Sequence, residues 1–308
     1  HMNLSQIRFG YSWRSSPKLE FKLEPVSVDY LKVTESSDEF NEFLIQYPLI
    51  AKSLEEQFIL GSTYGISYSN NPKKNRFNQF YYNGSLDLSG NLIDAYYTLA
   101  GSKQAGEPGV LFGVPYSQYI RLTSDVRYYR YFNEKRQIAT RLLAGIGVPY
   151  RNSDVLPYVK QYFAGGSHDL RAFYARSVGP GSYFPTDSLQ GRHSLDQSGE
   201  IKLLGSIEYR FPITYRTFGA LFLDAGNVWL LEEDDARPGG KFETSKFLKD
   251  MAVGSGIGIR VDIDYFVIRL DIAVPIRKPY QLENDYWIFK NNDFWRDYII
   301  SLAVGYPF

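Results

Sequence analysis

The last twelve residues, Asp297 to Phe308 (DYIISLAVGYPF), alternate with a period of two, and that period limits what they can build. Successive side chains of an extended strand point to opposite faces, whereas a helix needs apolar residues three and four apart. Tyr298, Ile300, Leu302, Val304, Tyr306 and the terminal Phe308 share one face. Asp297, Ser301, Ala303 and Gly305 share the other with Ile299 and Pro307. One face is thus continuously apolar and finishes on aromatics. A strand of about ten residues crosses a bilayer when tilted.

The same period recurs along the chain. Phe58, Leu60, Ser62, Tyr64, Ile66 and Tyr68 alternate with Gly61, Thr63, Gly65 and Ser67. Ile120, Leu122, Val126 and Tyr128 alternate with Arg121, Thr123, Asp125 and Arg127, and Ile138, Leu142, Ala144, Ile146 and Val148 with Arg141, Gly145 and Gly147. Ile201, Leu203, Ile207, Tyr209 and Phe211 face away from Lys202, Ser206, Glu208 and Arg210. Phe266, Ile268, Leu270, Ile272 and Val274 oppose Arg269, Asp271 and Ala273. Soluble antiparallel sheets also alternate. Here the polar face carries Arg, Asp, Glu and Gly in almost every strand, with no helical layer to pack on it. The pattern predicts an all-β transmembrane antiparallel β-barrel with a polar lumen. A soluble sandwich or lipocalin-like barrel stays open on these residues.

Composition fits the membrane reading. No run of 18 apolar residues exists, so no transmembrane helix is expected, and the mean hydropathy is -0.31. Alternating strands average out in that way. The 26 Tyr and 21 Phe suit aromatic girdles at the two membrane interfaces. With 34 basic and 34 acidic side chains the net charge is zero, which offers no electrostatic footprint for nucleic acid. The absence of cysteine is compatible with an oxidising compartment.

Short turns are expected near Ser15–Pro17, Asn71–Asn75, Asn133–Lys135, Thr214–Arg216 and Asp262–Asp264. Long connections are expected at 34–57, 90–116, 150–199, 231–250 and 277–296. Short turns on one side and long loops on the other is the outer-membrane arrangement, the long loops lying outside the cell. Phe40, Phe43, Leu44 and Tyr47 have helical spacing up to Pro48. About eleven strands result. Bacterial single-chain barrels have even strand numbers, so either a twelfth strand is hidden or the chain starts inside a larger barrel; the second reading is preferred. His1-Met2 reads as a cloning remnant. No signal peptide follows it, so the natural N-terminus is expected to have been removed.

Catalytic groupings are sparse. His168 and His193 lie in one long connection without cysteine partners or metal spacing. Gly254-Ser255-Gly256-Ile257-Gly258 lacks the full dinucleotide pattern and runs on as a strand; glycines making room on an inner strand face explain it better. Asp234 and Asp235 sit among Pro238, Gly239 and Gly240 in a loop. The chain is therefore read as no enzyme, with no cofactor and no metal. Tyr162 to Tyr183 (YFAGGSHDLRAFYARSVGPGSY) differs: it is glycine-rich yet sets Arg171 and Arg176 among Phe163, Phe173 and Tyr174. A loop folded back into a barrel, its arginine paired with lumen carboxylates, would use these residues. A surface hairpin with scattered cations is the alternative.

On these residues the chain resembles the C-terminal barrel of the BamA/TamA-type outer-membrane assembly proteins, the bacterial surface-antigen superfamily, most strongly over 137–308. That family's sixth extracellular loop carries a Val-Arg-Gly-Phe/Tyr motif; the matching residues are Leu170-Arg171-Ala172-Phe173, with Gly165-Gly166 before and Gly179-Pro180-Gly181 after. Ala172 stands where the motif has glycine. The family's aspartate–glycine strand matches Phe222-Leu223-Asp224-Ala225-Gly226, and its strand glutamate matches Glu208. Gly256 to Arg260 matches the strand that follows. The resemblance implies that residues 3–308 form the barrel domain, 150–199 being the inserted loop, within a sixteen-strand barrel whose first five strands and periplasmic POTRA domains lie outside this chain. It implies that Arg171 pairs with Glu208 and Asp224, with Gly226 beside them. It also implies a bacterial outer-membrane location with a periplasmic C-terminus, and insertion or translocation of outer-membrane proteins without ATP. Tyr298, Ile300, Leu302, Val304, Gly305, Tyr306 and Phe308 would form one side of a lateral gate. The implied partners are outer-membrane lipids, unfolded outer-membrane protein clients, periplasmic chaperones and accessory subunits. The rivals are a passive pore lined by Arg121, Arg127, Arg141, Arg260 and Arg269, and a small-barrel surface protein.

Overall fold

The computed structural model describes residues 2–70, 77–100, 109–184, 195–282, 285–287 and 298–308. Asp297, His193 and the expected Asn71–Asn75 turn lie outside these residues, as do parts of the connections expected at 90–116, 150–199 and 277–296. The strands are β1 (Met2–Ser16), β2 (Leu19–Val33), β3 (Gln57–Ser69), β4 (Asn78–Ser89), β5 (Val110–Leu111), β6 (Val114–Pro115), β7 (Tyr119–Asn133), β8 (Arg136–Pro149), β9 (Tyr162–Phe163), β10 (Ser198–Gly199), β11 (Ile201–Pro212), β12 (Thr217–Trp229), β13 (Ala252–Asp262), β14 (Val267–Leu282), β15 (Asp285–Trp287) and β16 (Ile299–Val304). The helices are α1 (Asp38–Gln46), α2 (Pro48–Leu54) and α3 (Asn91–Leu99). Among the described residues no helix is long and apolar enough to cross a membrane.

The chain divides into two compact units, and β4, β7, β8 and, by its last residue, β3 contribute residues to both. In the first unit (1–68, 83–124 and 145–161) the strand neighbours run β1-β2-β3-β4-β7-β8. Its inner face packs Ile59, Tyr119 and Leu156 together. α1 starts at Ser37, whose hydroxyl accepts from the Phe40 N–H at 3.2 Å. Pro48 then opens α2, where a missing N–H costs nothing. The helical spacing of Phe40 to Tyr47 is thus realised and interrupted where expected. α3 is an addition: it lies in the connection 90–116, where the sequence predicts a long loop.

In the second unit (69–82, 125–144 and 162–308) the neighbours run β4-β7-β8-β11-β12-β13-β14. β15 and β16 both pair with β14, at opposite ends of it, and so share one edge. Eleven rows result from the twelve strands in these series among the described residues, matching the sequence count. β11–β12, β12–β13, β13–β14 and β14–β16 are antiparallel. One expectation needs correction: 277–296 is not a long loop from its start, because β14 runs on to Leu282 and β15 pairs with it.

The two-residue period holds in space. Ile207, Leu221, Leu223, Ile257, Ile259, Leu270 and Ile272 stay exposed, while Glu208, Asp224, Arg260, Arg269 and Asp271 on the opposite face are buried. An apolar exposed face and a charged hidden one is the reverse of a soluble sheet. β16 follows the same rule, with Ile300, Leu302 and Val304 exposed, as is Tyr298 just before it, until it ends at Val304. The sequence reading carried this face on to Phe308, and here the structure differs. Gly305 takes a φ of +88°, a left-handed conformation that costs glycine little, and the chain turns. The Arg210 guanidinium then lies 4.2 Å from the Tyr306 ring centroid and 5.8 Å from that of Phe308, and Phe308 is buried. Gly305→Val should cost about 1–2 kcal/mol through its backbone. It should also release Phe308, read as faster carboxypeptidase digestion; an unchanged rate would show that the turn does not hold the terminus.

Candidate functional site

The segment around Arg171 lies against the inner face of β11–β14. Leu170, Ala172, Phe173 and Val178 join one apolar cluster with Leu204, Phe222, Ala252 and Ala273 of the strands. The segment keeps its shape through glycines. Gly165 and Gly166 have φ of +107° and +103°, and the Gly165 N–H donates to the Asp169 carboxylate at 3.0 Å. The Lys202 ammonium donates to the same carboxylate at 2.8 Å and to the Phe163 carbonyl at 2.7 Å, tying the loop to β11. At its far end Gly179–Pro180 is a cis peptide, and the following Gly181 is held at both ends. Its N–H donates to the Val228 carbonyl, and its carbonyl accepts from the Asn227 amide, both at 2.8 Å.

Arg171 is 1 % exposed and is met on every side. Its Nε and Nη2 donate to the two Asp224 oxygens at 2.8 Å each, and its backbone N–H adds a third bond to Asp224 at 3.2 Å. Its Nη1 donates to Glu208. The guanidinium also lies 3.5 Å from the centroid of the Phe222 ring. A planar five-donor fork is the cation best shaped for such bidentate pairing, and burial of the charge requires it.

Glu208 is the hub. Besides Arg171 it accepts from Arg210 Nε at 2.7 Å and from Arg260 Nη2 at 3.1 Å. Arg260 also bonds Asp271, and Arg269 lies 3.4 Å from the other Asp271 oxygen while donating to the Ser167 carbonyl at 2.8 Å. Arg141, paired with Asp125, donates to the His168 carbonyl at 3.1 Å. Loop and strands are thus joined by one charged network. Just before β11, burial raises the Glu200 carboxyl's pKa, while Arg237 pulls it down.

Glycine on β13 makes room for this. A Cβ on Gly254 would sit 2.3 Å from that of Ala172, one on Gly256 2.5 Å from the Phe222 ring, and one on Gly258 2.1 Å from both Arg260 and Asp271. The methyl that Ala172 adds to the motif is therefore accommodated by Gly254, and Ala172 has no positive φ. Leu170, Arg171, Ala172, Phe173, Glu208 and Asp224 are brought together. Gly226 is not among them: it packs against Leu204, where a Cβ would lie 3.1 Å from the leucine side chain. Gly179 and Pro180 sit apart from the arginine, by Asn227 and Gly240. Sequence reasoning assigned no role in the network to Arg210, Asp271, Asp169 and Lys202, although each lies on a polar strand face or in the loop already singled out. Among the described residues no group of three or more His, Cys, Asp or Glu could hold a metal ion.

This geometry, an exposed apolar sheet face with a loop pinned by charges on the inner face, defines the class as a transmembrane β-barrel with an inserted loop. The description "Omp85 superfamily domain" matches residues 3–292, and the chain belongs to that superfamily, a family of outer-membrane barrels. Among solved structures it is similar to BamA from Haemophilus ducreyi lacking POTRA domains 1-3, at 16% identity and a TM-score of 0.60, over 93% of this chain and 52% of that one. It is also similar to CdiB from Escherichia coli, at 13% identity and 0.52, over 98% and 45%. CdiB from Acinetobacter baumannii matches at 10% identity and 0.51, over 98% and 41%. The chain spans about half the length of these structures.

Two predictions follow from the contacts. Arg171→Ala leaves Asp224 without its only side-chain partner among the described residues, at a cost of about 3–5 kcal/mol. Heat-modifiable mobility in detergent gels should be lost at a lower temperature, with Arg171→Lys intermediate; unchanged melting would contradict the pairing. Gly254→Ala should destabilise by about 1–3 kcal/mol through overpacking. Ala172→Gly in the same chain should recover most of that loss, whereas simple additivity would mean that the two residues do not touch.

Proposed function

We propose that this chain is the barrel portion of a factor that inserts outer-membrane proteins into, or translocates them across, the bacterial outer membrane. The observation that carries the reading is the inserted loop held on the inner sheet face by Arg171, Asp224 and Glu208. A wide solute channel would have little use for a loop occupying its interior. The arginines invoked for a passive pore are also engaged: Arg121 with Asp87, Arg127 and Arg141 with Asp125, and Arg260 and Arg269 with Asp271.

The proposed route needs no ATP and runs through a lateral gate at the last strand. An unpaired strand edge templates another strand, and a client hairpin would extend it. β16 suits a weak edge, being six residues long and followed by Gly305 and Pro307, which pair poorly in a ladder. In this reading the long loops are extracellular and the C-terminus is periplasmic. The partners are lipids, unfolded clients and, through domains beyond this chain, periplasmic chaperones and accessory subunits. Leu170 to Phe173 with the flanking glycines act as the loop lock, and Tyr298 to Phe308 as the gate strand.

The test is client folding in liposomes containing the chain, its Arg171→Ala variant, or no protein, read as heat-modifiable, protease-resistant client over time. Acceleration by the unaltered chain, lost in the variant, is the expected result. A folded chain that gives no acceleration but a large steady conductance would make it a pore instead.

A further inference from the structure

Within the first unit, α3 sets an apolar stripe outward. Leu92, Tyr96 and Leu99, spaced four and three apart on one helix face, are 67%, 68% and 89% exposed. The helix is held in this orientation by its other side. Ile93 and Asp94 are buried, and the Asp94 carboxylate accepts from Arg151 at 2.7 Å and from the Tyr116 hydroxyl at 3.4 Å. Asp94 is the only charged residue of α3, so the exposed face carries no charge at all.

Leu92 also closes a notch of about 150 Å³ together with Pro25, Val26, Leu60, Tyr64 and Leu88. The notch has a local cause. Between Glu24 and Ser27 the β2–β3 register shifts, so that Pro25 and Val26 stand opposite Ser62 alone, a β-bulge that bends the strand. Val26, Leu60 and Tyr64 belong to the apolar strand face, and Val26 and Tyr64 are each 46% exposed. The exposed stripe of α3 is therefore continuous with the surface that faces lipid in a membrane barrel.

We propose that this notch seats an acyl chain of a bilayer lipid, with α3 lying in the membrane interface as its rim. An uncharged stripe with a tyrosine beside apolar strand residues matches the boundary between acyl chains and headgroups. The proposal rests on the membrane-barrel fold and is separate from the assembly function.

The chain has no cysteine, so single nitroxide labels can be placed by Leu92→Cys, Leu99→Cys and, as a reference on the apolar face of β13, Ile257→Cys. With the chain folded in phospholipid liposomes, relaxation by oxygen, which partitions into acyl chains, is compared with relaxation by an aqueous nickel chelate. Oxygen should dominate at all three positions. Adding Val26→Trp, which fills the notch, should lower oxygen access at position 92 and leave 99 unchanged. The proposal is overturned if the chelate dominates at 92 while oxygen dominates at 257, or if Val26→Trp leaves 92 unaffected. It is equally overturned by spin–spin broadening at 92 that disappears on dilution with unlabelled chain, which would identify a second copy as the occupant. Chelate dominance at 257 as well would refute the membrane placement itself.

Discussion

A guanidinium taken out of water carries a desolvation cost of several kcal/mol, and the second unit is arranged around meeting that cost for Arg171. β12 supplies Asp224 for both prongs of the fork and Phe222 for its face; β11 supplies Glu208. Bringing a loop carbon into that space requires an inner strand surface without side chains, and Gly254, Gly256 and Gly258 provide it. Replacing any of them by a larger residue sets a Cβ against the loop, the ring or the ion pairs. Position and charge are therefore coupled: the loop and the ion pairs occupy space that side chains at alternate residues of β13 would fill.

The network is larger than a salt bridge and leans positive. Arg171, Arg210, Arg260 and Arg269 surround Glu208, Asp224 and Asp271, and the surplus cation is directed to main-chain oxygen, Arg269 donating to the Ser167 carbonyl. Loop carbonyls thus serve as neutral partners for strand arginines, which binds the loop a second time. Glu208 joins this cluster to the end of the chain, because Arg210 holds the glutamate with its edge and lies against Tyr306 and Phe308. Loop and C-terminal segment consequently share one buried carboxylate.

Much of this was legible in the sequence, for a definite reason. A period of two assigns a face to every strand residue, so the sides taken by Glu208, Asp224, Arg260 and Ile257 follow from order alone. Arg171 stood out as a cation among aromatics and glycines, and the family resemblance named its two partners. Periodicity gives a face but no partner, which is why Arg210, Asp271 and the Lys202–Asp169 tie had no assigned role. It also assumes an unbroken strand. At Gly305 a left-handed residue turns the chain, and Phe308 goes inward instead of continuing the exposed face. Gly226 matched the motif but packs on Leu204, since neighbours in sequence two apart on a strand lie nearly 7 Å apart in space. α3 escaped notice because nine residues with one charge give too short a period to separate from a loop.

Arg171 and Asp224 meet in direct contact, a single energetic term between loop and strand. A double-mutant cycle with Arg171→Met and Asp224→Leu, followed by reversible urea unfolding in a bilayer, isolates that term. Removal of both groups should cost less than the two single losses together, with a coupling of about 2–3 kcal/mol, because Arg171→Met strands Asp224 and Asp224→Leu leaves the buried Arg171 with Glu208 as its remaining carboxylate. Costs that add to within about 0.5 kcal/mol would show that the two residues do not act on each other, and the account of the lock would fail.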